Sequence, residues 1–194
     1  MTKPFKHAEI LAIGTELLTP FRTDTNSLYL TGRLNELGLI VVRKSVIADD
    51  HDALESALRS ALGRADVVVT TGGLGPTDDD VTRGAVASAA GVSFEEDAEV
   101  LASIEERFRR RGLRMPAVNR RQAQVPRGAV VLPNPNGTAP GLWVEIGSGI
   151  VIALPGPPRE LRPMYENHVL ARLRERCGDV LLRRRTIRTT GRGE

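Results

Sequence analysis

The sequence predicts an α/β protein with a mostly parallel sheet that helices cover on both faces. Strand-length apolar segments alternate with helical segments along the chain, which is typical of right-handed βαβ units. The segment from Val67 to Thr71 also has the pattern of a strand buried on both faces. The chain has 194 residues, of which 41% are apolar and 26% charged. This is enough for one domain and a remainder, without disulfides or a structural metal.

Hydrophobic spacing predicts the first half of the fold. Strands are predicted over residues 9–14, 39–47 and 67–71, because each is a short apolar run. A helix over 26–37 places leucines at positions 30, 34 and 37 on one face and stops at Gly38. A helix over 52–62 places Leu54, Leu58 and Leu62 inward.

The second half continues the alternation. A helix over 79–90 follows the third strand and is closed by Gly91. A helix over 95–111 has acidic residues at its start and arginines at its end, which is the polarity that the helix dipole favours. Short strands are predicted at 129–132, 142–146 and 150–154, and a last helix at 158–176.

Composition excludes several classes of protein. No apolar run reaches the roughly 18 residues of a membrane span, and no apolar region of a signal peptide follows the first residues. Because Cys177 is the one cysteine, an internal disulfide is impossible and we expect a cytoplasmic, reducing location. The net charge of +3 comes from residues 159–194, which carry 10 basic and 5 acidic side chains. Since only 4% of residues are aromatic, we do not expect a nucleic-acid partner.

The strongest candidate site is a glycine-rich loop, Gly72-Gly73-Leu74-Gly75-Pro76-Thr77, between a buried strand and a helix. Ligands of parallel sheets bind beyond the carboxyl ends of the strands. Glycines let the backbone turn sharply and present N–H groups to a phosphate. The loop lacks Gly-Lys-Ser/Thr, and position 78 is not glycine, so it matches neither the P-loop nor the dinucleotide-binding pattern. A tight turn alone would explain one or two of the glycines.

Three adjacent carboxylates, Asp78, Asp79 and Asp80, follow this loop. One or two acids at a helix start are ordinary caps, whereas three repel one another and also repel phosphate. A bound Mg²⁺ would remove both conflicts by binding one or two carboxylates together with phosphate oxygens. The pattern favours metal-assisted nucleotide chemistry for Asp80, and it leaves simple capping open, above all for Asp78.

Three further segments follow predicted strands and should reach the same edge of the sheet. Gly14, Thr15 and Glu16 form either a plain turn or part of a ligand pocket. Asp49 or Asp50 could cap the next helix. Residues 155–157, Pro-Gly-Pro, are either a stiff helix entry or a pocket wall. Two polar segments, 119–123 and 134–141, could cover a ligand.

Six ordered motifs resemble the N-terminal domain of the CinA family of competence/damage-inducible proteins. They are IGTELL at 13–18, DTN at 24–26, TTGGLGPTDDDVT at 70–82, NRRQA at 119–123, PNPNGTAPG at 133–141 and LPGPPREL at 154–161. That domain belongs to the wider molybdenum-cofactor-biosynthesis, or molybdopterin-binding-like, family. The resemblance covers nearly the whole chain and implies a three-layer αβα sandwich.

The resemblance also implies an activity, which is hydrolysis of the pyrophosphate bond of ADP-ribose or a related nucleotide. A divalent metal such as Mg²⁺ or Co²⁺ would be required, and K⁺ would help. The expected catalytic residues are Asp49, Asp80 and Glu16, and the expected metal ligands are Asp49, Asp79 and Asp80. The residues expected to contact the substrate are Gly14, Thr15, Asn26, Thr71, Gly72, Gly73, Leu74, Gly75, Pro76, Thr77, Asn119, Gln122, Gly137, Thr138, Pro155, Gly156 and Pro157.

Two other functions stay open. Relatives in cofactor synthesis bind pyranopterin and use two aspartates in adenylyl transfer, so the chain could bind molybdopterin or a nucleotide with or without catalysis. It could also be a non-catalytic oligomerisation module for a second domain, a nicotinamide mononucleotide deamidase. We expect a homo-oligomer (a dimer or trimer), a nucleotide domain over residues 1–175, and the start of a truncated connecting segment over 176–194.

Overall fold

The computed structural model describes residues 4–178 and 190–191. Most of the segment expected at 176–194 therefore lies outside the described residues. The strands are β1 (His7–Ile13), β2 (Ile40–Ile47), β3 (Val67–Thr71), β4 (Phe94–Glu96), β5 (Gln124–Pro126), β6 (Val130–Leu132), β7 (Gly141–Ile146) and β8 (Gly149–Leu154). The helices are α1 (Thr25–Glu36), α2 (His51–Leu62), α3 (Thr82–Ala90), α4 (Ala98–Arg109), α5 (Pro158–Met164) and α6 (Leu170–Cys177).

A six-stranded sheet with the order β2-β1-β3-β8-β7-β6 forms the centre of the fold. The first four of these strands are parallel, whereas β7 runs antiparallel to both β8 and β6. The prediction of a mostly parallel sheet is thus confirmed. The antiparallel β7 could not be recognised from residue pattern, because its short apolar run resembles that of a parallel strand. β4 and β5 form a separate antiparallel pair.

Helices cover both faces of the central sheet. Along β3, Val67 and Val69 pack on one face with leucines of α1 and α5, whereas Val68 packs on the other face with leucines of α2. Each fully buried Val or Leu side chain contributes roughly 1.5–3 kcal/mol. The alternation along strands that are buried on both faces therefore holds the three layers together, and it confirms the αβα sandwich.

Two helices begin later than predicted. α3 begins at Thr82 rather than at residue 79, because the side chain of Asp80 turns back to the glycine loop. α4 begins at Ala98 rather than at residue 95, because Asp97 is its N-cap and accepts hydrogen bonds from the amides of Glu99 and Val100. Residues 95–96 instead pair with residues 124–125 in the small sheet, so they are not part of the helix dipole.

The last helix is not continuous over 158–176. A π-helical turn at Tyr165–Val169 separates α5 from α6. Pro163 has no N–H to donate to the carbonyl oxygen of Arg159. That oxygen instead accepts a hydrogen bond of 2.9 Å from the side chain of Asn136. The proline therefore frees a carbonyl that fixes the β6–β7 connection.

Strand direction places four chain segments beyond one edge of the central sheet. The carboxyl ends of β1, β2, β3 and β8 all lie there. The connection over residues 133–140 reaches the same edge, since β6 ends and β7 begins there. In the part of the chain that the structure describes, no helix is long and apolar enough to cross a membrane.

Candidate functional site

A cavity of about 390 Å³ lies beyond the carboxyl ends of the parallel strands, and we call it the cleft. Most of the residues that the sequence singled out lie in its wall. These are Gly14, Glu16, Asp49, Gly72, Gly73, Leu74, Gly75, Pro76, Asp79, Asp80, Gln122, Thr138, Pro155, Gly156 and Pro157. Six of the predicted residues lie outside this wall: Thr15, Asn26, Thr71, Thr77, Asn119 and Gly137.

Gly72 lets the end of β3 approach the end of β1. Its φ is 104°, a conformation that residues with a side chain rarely adopt, and a Cβ there would overlap the carbonyl oxygen of Ile13. Its amide donates a hydrogen bond of 3.0 Å to the carbonyl oxygen of Leu154 at the end of β8. Gly72 therefore joins three strand ends at the floor of the cleft.

Asp80 occupies the second half of the glycine loop. Its Oδ1 accepts a hydrogen bond of 2.7 Å from the amide of Gly75. Its Oδ2 accepts bonds of 2.9 Å from the amide and 2.6 Å from the hydroxyl of Thr77. Two of the amides that the sequence assigned to a phosphate thus hold the protein's own carboxylate. The loop is closed by charge-assisted hydrogen bonds.

The first half of the loop is different. Among the described residues, the amides of Gly73 and Leu74 donate no hydrogen bond, and both residues line the cleft. The carbonyl oxygen of Gly73 accepts from the amide of Thr82, the first residue of α3, which fixes the direction of the peptide. Adjacent unbonded N–H groups in a fixed loop are suited to binding an anion.

Asp49 and Asp50 have separate roles, which the sequence could not distinguish. Asp50 is the N-cap of α2, with its side chain accepting a 2.8 Å hydrogen bond from the amide of Ala53. Asp49 and Thr15 bind each other reciprocally, with 2.8 Å from the Thr15 amide to Asp49 Oδ2 and 3.2 Å from the Asp49 amide to Thr15 Oγ1. Within the described chain, Asp49 Oδ1 has no hydrogen bond.

Glu16 lies at the mouth of the cleft. It is exposed and belongs to a short 3₁₀ turn, Thr15–Leu18, that directly follows β1. Its carboxylate folds over Gly14, since a Cβ on that glycine would lie 2.6 Å from Glu16 Oε2. Because Gly14 has no side chain, the Glu16 carboxylate can pack directly against its backbone.

Asn26 supports the cleft from behind. The side chain is buried, and its Nδ2 donates 2.9 Å to Thr71 Oγ1 and 2.7 Å to the carbonyl oxygen of Gly156. Thr71 ends β3, and Gly156 follows β8. Asn26 thus ties two walls of the cleft together, which makes it a positioning residue rather than a residue in contact with the cavity.

Two hydrogen-bonded pairs of polar side chains, Asn119 with Gln122 and Asn134 with Glu160, position the other residues of the cleft wall. Asn119 donates 3.0 Å from Nδ2 to Gln122 Oε1, and both side chains are buried. Glu160, which the sequence analysis did not select, lines the cleft and accepts 2.8 Å from Asn134 Nδ2. A Cβ on Gly137 would overlap the Glu160 carboxylate. The position of Glu160, six residues after the last parallel strand, was the signal that could have revealed it.

The carboxylates of the cleft do not form a ready-made metal centre. Across the described residues, no three His, Cys, Asp or Glu side chains converge as metal ligands. Asp80 has both oxygens in hydrogen bonds, whereas Asp79 is exposed and its pKa is lowered, chiefly by a hydrogen bond from Thr77. Mg²⁺ often takes only one or two carboxylates and completes its shell with waters and substrate phosphates. Asp49 and Asp79 both line the cleft and are the candidate ligands of such a metal.

Sequence comparison identifies the family. A sequence model described as "Probable molybdopterin binding domain" matches residues 9–175. The chain belongs to the molybdopterin-binding domain family. It is 49% identical over 187 residues to the "CinA-like protein" of Solibacter usitatus and 50% identical over 190 residues to a "Putative competence-damage inducible protein" of Symbiobacterium thermophilum. Each match covers 96% of this chain and 45% of the relative, so the chain spans less than half the length of these relatives.

Solved structures agree with the family assignment. The protein CinA of Thermoplasma acidophilum, described as "with unknown function", is 34% identical and superposes with a TM-score of 0.78. That match covers 84% of this chain and 95% of the other. The molybdopterin biosynthesis enzyme MoaB of Thermus thermophilus is 21% identical with a TM-score of 0.56, covering 92% and 99%, and shows a common fold. This chain is a CinA-like member of the molybdopterin-binding domain family, as the motifs predicted.

Proposed function

We propose that the chain hydrolyses the pyrophosphate bond of ADP-ribose or a related nucleotide in the cleft. One observation carries the proposal. Gly73 and Leu74, whose amides donate no hydrogen bond among the described residues, line a cavity of about 390 Å³ together with Glu16 and Asp49. Such amides stabilise negative charge on a phosphate, and a carboxylate can take a proton from water. The cavity volume also lies within the range of small-molecule sites.

Hydrolysis requires water to attack one phosphorus atom while the bond from that phosphorus to the bridging oxygen breaks. ADP-ribose would give AMP and ribose 5-phosphate. Glu16 is the candidate general base, because its exposed carboxylate stands at the mouth of the cleft. The amides of Gly73 and Leu74 would bind the non-bridging oxygens as their charge grows.

Asp49 and Asp79 are the residues that would hold a divalent ion such as Mg²⁺ or Co²⁺ together with substrate phosphates. The ion, when bound, would neutralise the charge of the diphosphate. Asp80 would contribute by keeping the glycine loop in the shape that directs the two amides into the cleft. Thr15 would do the same for Asp49, since its amide fixes one carboxylate oxygen.

An assay of the purified chain against a panel of nucleoside diphosphate derivatives tests this proposal. Mg²⁺, Co²⁺ and K⁺ are varied separately, and products are separated by chromatography. We expect metal-dependent release of AMP from ADP-ribose. Asp49→Asn should abolish the release, and the neighbouring Asp50→Asn should retain it, because asparagine also caps helices. The absence of AMP with every metal would overturn the proposal.

A pterin ligand is the second candidate, and the description of the family as a probable molybdopterin-binding domain favours it. The same amides could bind the phosphate of molybdopterin, in adenylyl transfer or in binding alone. Calorimetry with ADP-ribose, with FAD and with a pterin distinguishes the candidates. Heat with the pterin alone would favour the second one.

We propose as a third candidate a non-catalytic module that assembles copies of a longer protein, with a dimer or trimer as the assembly. Light scattering of the purified chain measures the assembly directly. Release of AMP from ADP-ribose by this chain alone would contradict a purely non-catalytic role.

A further inference from the structure

A second cavity of about 680 Å³ lies beside the cleft and shares Asp80 with it. We call it the side cavity. It lies between the start of α3, strand β4 and the residues 117–121, and its wall includes Arg83, Phe94, Val118 and Arg121. Gln122 of the adjoining turn faces the cleft instead. One short segment therefore forms part of both walls, and a ligand could extend from one cavity into the other.

The side cavity contains a buried cation. Arg83 is only 6% exposed, and its Nη1 donates a hydrogen bond of 2.6 Å to the carbonyl oxygen of Leu74 in the glycine loop. Among the residues that the structure covers, no carboxylate forms an ion pair with it. Burial lowers the pKa of Arg83, and the negative charge of Asp80 acts on that pKa in the opposite direction. A buried charge without a paired counter-charge is costly, and an anion in the cavity would relieve that cost.

The side cavity also has an apolar wall. Phe94 and Val118 are 41% and 40% exposed, although both are large hydrophobic residues. Phe94 is held in place by the pairing of β4 with β5, where it lies opposite Pro126. Aromatic rings that are fixed and exposed next to cations provide a stacking surface for a nucleobase.

The two arginines at the rim of this cavity are bound differently. Arg120 is held by Glu96 through two hydrogen bonds of 2.6 and 2.8 Å. Among the residues described, Arg121 pairs only with Asp78, whose side chain is 91% exposed. Exposed ion pairs contribute little, about 0–1 kcal/mol. A phosphate could therefore replace the Asp78 carboxylate at Arg121 at small cost, whereas Arg120 stays engaged.

We propose that the side cavity binds the nucleoside half of a nucleoside diphosphate ester. The base would stack on Phe94 beside Val118, and the phosphate next to the nucleoside would lie between Arg83 and Arg121. The inference rests on the proposed function, because the cleft would hold the rest of the diphosphate ester. It makes the site specific for nucleotides, since a diphosphate without a base would gain nothing from Phe94.

Calorimetric titrations with ADP and with inorganic pyrophosphate, in the same Mg²⁺ buffer, test the inference. Phe94→Leu keeps an apolar side chain and removes the ring, whereas Phe94→Tyr keeps the ring. We expect Phe94→Leu to weaken ADP binding by at least about fivefold, the lower end of what base stacking contributes. Phe94→Tyr should bind ADP as the wild type does, and pyrophosphate binding should be the same in all three proteins.

Arg121→Ala extends the test to the phosphate. It should weaken ADP binding, and the matched control Arg110→Ala, which removes an exposed arginine paired with Glu106 on α4, should not. Equal ADP affinity in wild type and Phe94→Leu would overturn the inference. So would an equal loss of ADP and pyrophosphate, or a wild type that binds neither.

The hydrolysis assay separates this inference from the proposed function. If ADP binding depends on the ring at position 94 but ADP-ribose is not cleaved, the nucleoside site stands and the hydrolase proposal fails. If AMP is released but Phe94→Leu binds ADP normally, the hydrolase proposal stands and the side cavity is not the nucleoside site.

Discussion

The carboxylate of Asp80 accepts a hydrogen bond of 2.7 Å from the amide of Gly75, five residues before it in the chain. A Cβ on Gly75 would overlap that carboxylate, so the glycine is required for the contact. The bond closes the glycine loop on itself and leaves the amides of Gly73 and Leu74 without partners among the described residues. The Asp80 carboxylate thus occupies the amides of the second half of the loop, and the amides of the first half stay available to a ligand.

Asp80→Asn should destabilise the loop and slow the reaction. The new amide group cannot accept hydrogen bonds at both of its ends, so the N–H of Gly75 or of Thr77 loses a charged acceptor. We expect the free energy of unfolding to fall by about 1–3 kcal/mol and AMP release from ADP-ribose to fall at least about tenfold. Urea unfolding and the chromatographic assay measure the two effects. Asp79→Asn, at an exposed side chain, is the stability control and should lose less unfolding free energy than Asp80→Asn.

An Asp80→Asn variant with wild-type stability and wild-type rate would show that the carboxylate does not order the loop. A loss of stability with an unchanged rate would show that the loop does not take part in the reaction.

Asp49→Ala and Asp50→Ala should separate activity from stability at neighbouring positions. Asp50 caps α2, so its loss should cost about 1 kcal/mol in unfolding free energy and leave the reaction rate unchanged. Asp49 lines the cleft, and within the described residues its Oδ1 accepts no hydrogen bond, so its loss should abolish AMP release. Unfolding and product release are measured on both variants. The assignment fails if Asp50→Ala is the inactive one.

Gly72→Ala and Gly32→Ala should change stability in opposite directions. At Gly72, a Cβ meets the backbone of Ile13 and φ is positive, so we expect a loss of more than about 1 kcal/mol. At Gly32, in the middle of α1, a Cβ has open space, so alanine should stabilise by up to about 1 kcal/mol. Equal melting temperatures for the two variants would contradict the packing described for the strand ends.

Stability should depend on pH through His51. The hydrogen bond that the His51 ring donates to the Asp52 carboxylate is the main cause that raises the pKa of His51 above its ordinary value, and a hydrogen bond with the backbone of Gly84 adds to it. Because the folded-state pKa is raised, the protonated ring contributes stability below the unfolded-state value and loses it as pH rises through the folded-state value. Melting temperatures of wild type and His51→Gln, compared at about pH 5.5 and about pH 8, measure this pH-dependent contribution of His51 to stability. The wild type should have the larger advantage at the lower pH, and a larger advantage at the higher pH would contradict the sign.

Much of the fold could be predicted from the sequence, because the strongest signals are local. β3 has the predicted bounds, and α2 differs by one residue at its start. The starts of α3 and α4 were predicted wrongly. Hydrogen bonds from backbone amides to the side chains of Asp80 and Asp97 set where each helix begins, and composition does not reveal such contacts. The pairing of β4 with β5 depends on partners about thirty residues apart, which periodicity cannot indicate.

The location of the candidate site could be predicted from the sequence, whereas the roles of its side chains could be predicted less well. Strand direction brings Glu16, Asp49 and the glycine loop to one edge, as expected for a parallel sheet. The roles of these side chains as metal ligands, base and phosphate site stay predictions. Which aspartate caps α2, and which carboxylate fills the loop, is decided by tertiary hydrogen bonds. The burial of Arg83 could not be predicted, because an arginine inside a helical segment is usually exposed.

Amide spectra of the ¹⁵N-labelled chain, recorded during titration with ADP and with pyrophosphate, test the central claim most directly. The claim is that the first half of the glycine loop binds the diphosphate. It predicts that both ligands shift the amide signals of Gly73 and Leu74 more than those of Gly75 and Thr77, which stay bound to Asp80. Binding of either ligand with the Gly73 and Leu74 signals unmoved would contradict it.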